Sequence, residues 1–257
     1  MRKWALIVGG SSGMGLATAK KLCENNYNLL LIHRDRRSVL DTFNNELSNL
    51  RKHGDVIAHN VDGTNKEKLI ETLDKFQEAH AGAQFSLFLH AISRGNLKPL
   101  IAEEGKALSE QDLHLTMDAM AINVLSWVQR LMSLHLLADK ARIITLTSAG
   151  SQRYWKGYAA VAMAKSALEI LTKYLSIELA KHDFRVNVIN AGVTDTPSLR
   201  MIPDHEQLIT EATARNPYGR MTTPEDVANA IYLLTLPEAD WINGNVIDVD
   251  GGEHLMG

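Results

Sequence analysis

Cysteine is nearly missing: Cys23 stands alone in 257 residues. An internal disulfide is therefore excluded, and a reducing compartment is consistent with the composition. Cys23 falls inside a helical pattern, where a buried small hydrophobe outweighs a reactive thiol. Long apolar runs are missing too, since nothing approaches the roughly eighteen consecutive residues of a spanning helix. The opening W-A-L-I-V-G-G, after Met1-Arg2-Lys3, is too short for a secretion-signal core and leads straight into a glycine turn. A strand is expected there, in a soluble, cytoplasmic chain. Neither charge sign dominates, with 27 Lys and Arg against 30 Asp and Glu. A net charge of −3 gives no electrostatic reason for a nucleic acid or an anionic membrane as partner. The ten histidines are scattered and form no cluster at ligand spacing, so no metal site is expected.

What is present is a rhythm. Short apolar runs at Trp4–Val8, Asn28–Ile32, Asp55–His59, Phe85–His90, Arg142–Thr147, Arg185–Asn190 and Asn245–Val249 predict strands. They are rich in Val, Ile and Leu with little alternation, the pattern of strands buried on both faces. Helix-length segments fall between them, among them Gly15–Glu24, Lys66–Ala79, Leu113–Leu137, Tyr158–Lys181 and Pro224–Leu236. Thr223-Pro224-Glu225 carries a helix-opening signature, with Pro in the first turn and acids behind it. Alternating strands and helices predict an α/β fold, a doubly wound parallel sheet with helices on both faces. Without repeats, linkers or low-complexity tracts, residues 1–257 are expected to form one domain. Two long connections interrupt the rhythm, at about 94–110 and 194–218. Both follow strands, so each is either a substrate loop or a tolerated surface insertion.

V-G-G-S-S-G-M-G, Val8 to Gly15, joins the first strand to the first helix. Glycines at 9, 13 and 15 permit a tight turn and let a pyrophosphate approach the helix N-terminus, where amide donors and the dipole favour anions. The candidate cofactor contacts here are Gly9, Ser11, Ser12, Gly13, Met14 and Gly15. The second strand then runs L-L-L-I-H-R-D-R-R. A cluster of His33, Arg34, Arg36 and Arg37 there suits a 2′-phosphate, and NADPH is expected ahead of NADH. Asp35, the acid that would bind a ribose diol, lies slightly late among these bases. The cluster is otherwise a solvated basic helix start. Asn60 and Val61, after the third strand, are placed for the adenine ring.

These motifs, with Asn123 in a long middle helix, a Tyr/Lys pair and D-V-D-G-G near the end, make the whole chain resemble the short-chain dehydrogenase/reductase family. The resemblance implies a Rossmann-like sheet of about seven strands, a nicotinamide cofactor and a homotetramer. Two departures from the common pattern narrow it. The fourth strand ends L-H-A-I-S, not N-N-A-G, and the pair reads Y-A-A-V-A-M-A-K, six residues between Tyr158 and Lys165 where three are usual. Both features are similar to the enoyl-acyl-carrier-protein reductase branch. The segment around Tyr154 and Tyr158 looks especially like its NADPH-dependent type III enzymes.

On that resemblance the chain is expected to reduce the 2,3 double bond of an enoyl thioester, on acyl carrier protein or CoA, in fatty acid or polyketide synthesis. The alternatives are reduction of a 3-oxoacyl or other carbonyl group, and a non-catalytic nucleotide-binding protein. Tyr158 would polarise the thioester carbonyl, and Lys165 would bind the nicotinamide ribose. Ser148 stands where ketoreductases keep a catalytic serine, and is either a participant or a neighbour. Tyr154 either lines the pocket or packs; Asn123 either orders a water relay or distorts its helix; His90 is either structural or catalytic. Ala91, Gly192, Val193, Thr194 and Thr196 complete the implied cofactor contacts. If Tyr158 and Lys165 share a helix, seven residues return to nearly the same face, with the tyrosine backbone about 4.5 Å further along the axis than at Val161. That extra reach suits an enolate oxygen two bonds beyond the carbon that accepts hydride.

Overall fold

The computed structural model describes residues 2–256. Seven strands form one sheet: β1 (Lys3–Val8), β2 (Tyr27–His33), β3 (Val56–Asn60), β4 (Phe85–His90), β5 (Leu137–Ser148), β6 (Arg185–Ala191) and β7 (Val246–Val249). Their order is β3-β2-β1-β4-β5-β6-β7, and every pairing is parallel. All seven residues of β2 are buried, which is why its centre, Leu29–Ile32, reads as an unbroken apolar run.

Of the eight α-helices among the described residues, six cover the two faces. On one side α1 (Gly13–Glu24), α2 (Arg37–Leu50) and α8 (Pro224–Leu234) place Leu22, Phe43 and Ile231 against Ile7, Leu29 and Leu89 of the sheet. On the other, α3 (Lys66–Ala79), α5 (Asn123–Ser133) and α6 (Ala159–Glu178) pack Leu73, Trp127 and Leu168 against Leu6, Leu30 and Phe88. The Trp127 ring is fully buried, and its indole N–H donates to the Gly63 carbonyl at 3.0 Å, so no polar group is left stranded. α4 (Glu110–Met117) and α7 (His205–Arg215) lie within or beside the two long connections. The Thr223 signature is realised in full: its hydroxyl accepts from the Asp226 amide while the Asp226 carboxylate caps Thr223.

The expected Leu113–Leu137 helix is three pieces. α4 passes into a single π-helical turn, Asp118–Ile122, before α5 begins at Asn123, and Leu137 already belongs to β5. The extra residue of a π-turn leaves no mark on apolar periodicity, so the sequence reads as one long helix. Tyr158 is likewise outside α6; it is the residue before the first helical one, with φ −96° and ψ 1°. The 194–218 connection holds a 3₁₀ turn and α7.

Chain order reverses between β1 and β4, so their carboxyl ends open the crevice where an α/β sheet of this kind binds its ligand. The glycine turn follows β1, and His90 closes β4.

Candidate active site

The glycine turn is built for close backbone approach. Gly9 and Gly13 have φ of +94° and +51°. A Cβ on Gly9 would lie 2.7 Å from the Ala91 carbonyl oxygen, and one on Gly13 3.2 Å from the Thr196 methyl. A Cβ on Gly15 would come within 2.0 Å of the Gly9 carbonyl oxygen. These contacts bring together Gly9, Gly13, Gly15, Ala91 and Thr196, which the sequence scatters. Ser12 precedes α1 without capping it through its side chain, which leaves the first amides of α1 free for an anion. Met14 packs against the core beneath the turn. A diphosphate fits this cradle, and no group of three metal-ligating side chains occurs among the described residues.

The loop after β6 faces the cradle. Thr194 donates to the Gly192 carbonyl at 2.8 Å and forms an isolated bridge with Thr222. The Val193 amide is taken by the Glu253 carboxylate at 3.2 Å, and the Thr196 hydroxyl accepts from Leu199 at 3.2 Å.

At the end of β2 the expected basic cluster divides. His33 is buried, packs against Phe43 with ring centroids 4.5 Å apart and planes tilted by 55°, and bonds Asp35 at 2.9 Å. Burial lowers its pKa, with the Asp35 carboxylate opposing, and its ring is turned onto Phe43 and Asp35. Arg34 is exposed and pairs with Asp62, which Arg94 also binds; Arg37 is exposed at the start of α2. Asp35 has both oxygens engaged, one by the Ser11 hydroxyl at 3.0 Å and the other by His33. Asn60 spends its side-chain amide on the Asp35 backbone, accepting from N–H at 2.9 Å and donating to C=O at 3.1 Å. It therefore fixes the β2 end, while Val61 packs on the core.

The reacting groups gather beyond β4 and β5. The Tyr158 hydroxyl lies 3.3 Å from Ser148 Oγ. Gly150 makes this possible, because a Cβ there would stand 2.3 Å from the Tyr158 ring. That glycine, in S-A-G-S just after a strand, was the available signal for a ring lying over the backbone. Lys165 is buried and donates to the Leu146 carbonyl at 2.6 Å. His90 and Asn123, both buried, meet at 3.1 Å behind it. The π-turn ends at Asn123, so the helix irregularity and this contact occur together.

Val161, four before Lys165, is buried in a separate cluster with Ala119, Met120 and Ala164. The backbone of Gly95 closes over it, where even a Cβ would lie 2.5 Å from a Val161 methyl. There is no open space at that position for a tyrosine ring. The tyrosine stands at the N-cap of α6, its carbonyl accepting from the Ala162 amide at 2.9 Å, two turns before Lys165 at the start of the same helix. Tyr154 is 90% exposed and its side chain makes no hydrogen bond among the described residues, so the structure does not bring it into the group.

Protonation follows burial. The Tyr158 pKa is raised by desolvation, with Ser148 pulling the other way, and the phenol stays protonated at neutral pH. Burial takes Lys165 down to about 8, against the opposing charge of Glu169. Burial takes His90 down to about 4, opposed by the Asn123 bond and reinforced by Lys165. The site thus holds a neutral imidazole, a proton-bearing phenol and a lysine close to its titration point.

The family model described as enoyl-(acyl carrier protein) reductase matches residues 8–254. The chain belongs to the enoyl-acyl-carrier-protein reductase family. Members related to it are NAD(P)H-dependent oxidoreductases, and this chain is an enzyme of that family. It is 30% identical over 190 residues to an NADH-named enoyl-acyl-carrier-protein reductase of Aquifex aeolicus, covering 73% of the chain and 68% of the relative. The solved structure of an Aquifex aeolicus enoyl reductase superposes with a TM-score of 0.86 at 25% identity, over 99% of this chain and 97% of that one. A 3-oxoacyl-acyl-carrier-protein reductase of Aggregatibacter actinomycetemcomitans is 28% identical over 253 residues, 98% of the chain and 99% of the relative. Among the described residues of this chain, no helix is long and apolar enough to cross a membrane.

Proposed function

We propose that the protein reduces the 2,3 double bond of an enoyl thioester carried on acyl carrier protein. The observation that carries this reading is the position of Tyr158, ahead of α6 and bonded to Ser148, while the place four before Lys165 is filled by core. A ketone needs its own oxygen on the tyrosine, next to the carbon that takes hydride. An enoyl thioester needs the hydroxyl further off, on an oxygen two bonds beyond the β-carbon.

A bound nicotinamide cofactor supplies hydride to that β-carbon. The chain does the rest. As the π electrons move toward the thioester oxygen, the Tyr158 O–H donates to it and stabilises the enolate, and Ser148 holds the phenol in place. Lys165, anchored on the Leu146 carbonyl, would hold the ribose hydroxyls of that cofactor. Protonation of the α-carbon completes the saturated product, with His90 and Asn123 on the buried side of Lys165 as the next links for proton resupply. Turnover of a crotonyl thioester with loss of reduced cofactor tests the assignment, and its absence at every cofactor and pH would sink it.

The cofactor we assign is NADPH. Arg34 and Arg37 are exposed at the β2 end, and Asp35 already accepts two hydrogen bonds within the protein. A second reading, NADH, is favoured by Asp35 lying within reach of Ser11 in the phosphate turn and by the NADH-named relative. Arg34→Ala separates them. Loss of one phosphate-binding guanidinium should cost about tenfold in kcat/KM with NADPH and leave NADH unchanged. Equal loss with both dinucleotides would contradict the assignment.

The expected homotetramer is also retained. Met163, Ile170, Tyr174 and Ile177 form an exposed apolar stripe on the outer face of α6, and β7 leaves an open sheet edge. Light scattering should give a mass of four chains; a single-chain mass would contradict it.

A further inference from the structure

One side chain beside the lysine has no part in the chemistry described so far. Glu169 lies one helical turn beyond Lys165 on α6 and accepts a hydrogen bond from the Thr147 hydroxyl at 2.7 Å. Thr147 is buried in β5, between Leu146, whose carbonyl receives the Lys165 ammonium, and Ser148, whose hydroxyl meets Tyr158. Two successive turns of α6 are therefore clamped to two successive residues of β5. One clamp is a cation on a carbonyl, and the other is a carboxylate on a hydroxyl.

We propose that Glu169 is a positioning residue for Lys165: held by Thr147, its carboxylate keeps the buried ammonium charged and seated where it can donate to the cofactor's ribose. The physical need is plain. An ammonium taken out of water loses solvation, and a nearby opposite charge offsets that loss. A carboxylate left free to rotate could turn away from the lysine into solvent; Thr147 holds it one turn away. The groups facing Lys165 from the neighbouring elements are otherwise uncharged. His90 on β4 is neutral, Asn123 on α5 and Ser148 on β5 carry no charge, and Tyr158 is protonated. Burial brings the lysine down to about 8 against the opposing charge of Glu169, so removal of that charge moves its titration lower still.

The inference rests on Lys165 acting as the cofactor lysine, and its test needs no thioester. The dissociation constant of reduced dinucleotide, followed by its fluorescence, is measured across pH for the intact protein and for Glu169→Gln. For the parent, affinity should weaken as pH rises through about 8, as the ammonium is lost. In Glu169→Gln the same break should appear about one pH unit lower, a tenfold change in the proton affinity of Lys165. At low pH, where the lysine is charged in both proteins, the affinities should converge. Breaks that superpose would overturn the proposal and leave Glu169 a packing residue. If Glu169→Gln does not fold, Thr147→Val decides: with the carboxylate unclamped, the break should move in the same direction by less, and an unmoved break overturns the proposal. Failure of crotonyl turnover in the parent would sink the enoyl reading while leaving this binding break to be scored by itself.

Discussion

Tyr158→Phe should reduce kcat for an enoyl thioester by about 10²- to 10³-fold, the usual cost of losing one donor to a developing oxyanion. The phenol donates to charge that exists only as the reaction proceeds, so its loss should fall on kcat and not on substrate affinity. Cofactor affinity should be unchanged, because the lysine and the glycine cradle stay intact. Ser148 lies 3.3 Å from the lost hydroxyl and would remain within the site, bound to water. The phenyl ring still fits over Gly150, so the melting temperature should shift little. Stopped-flow or steady-state rates beside a fluorescence titration separate these effects. Unchanged turnover would remove Tyr158 from the chemistry altogether.

Gly15→Ala should be damaging in a different way. The new methyl would stand 2.0 Å from the Gly9 carbonyl oxygen and 3.0 Å from its carbon. Both partners are backbone, so no side chain can swing aside, and the turn itself must shift. Gly9 already sits at φ +94°, with the Ala91 carbonyl behind it, which leaves the turn little room to retreat. Dinucleotide affinity should fall on the order of a hundredfold, about 3 kcal/mol. Because the same clash strains the β1–α1 junction, the melting temperature should fall too. Calorimetric titration and thermal melts of the same preparation measure both. An alanine variant that binds cofactor like the parent would show that the cradle is not the phosphate site.

Much of this architecture was legible because its signals are local. Buried strands such as β2 show as apolar runs, the phosphate turn shows as spaced glycines, and Thr223-Pro224 opens α8 where expected. The site was legible as a set of residues more than as a geometry. Tyr158, Lys165, Ser148, Asn123 and His90 do converge, but the route of Tyr158 into the group depends on Gly157 at φ +72° and on Gly150 beneath the ring. The basic cluster after β2 was misjudged in part because the partners are distant in sequence. His33 looks like a phosphate ligand until Phe43 covers it, and Asn60 looks free until it meets the Asp35 backbone. Tyr154 shared a suggestive spacing with Tyr158, yet spacing outside a helix carries no common face.

The account turns on one chemical distinction, a conjugated thioester against a ketone. It is tested most directly by measuring kcat/KM for crotonyl and acetoacetyl thioesters of the same carrier with NADPH. The geometry predicts reduction of the crotonyl double bond at least about a hundredfold ahead of the ketone, the scale set by one well-placed oxyanion donor. Reduction of acetoacetyl thioester with no turnover of crotonyl would contradict it.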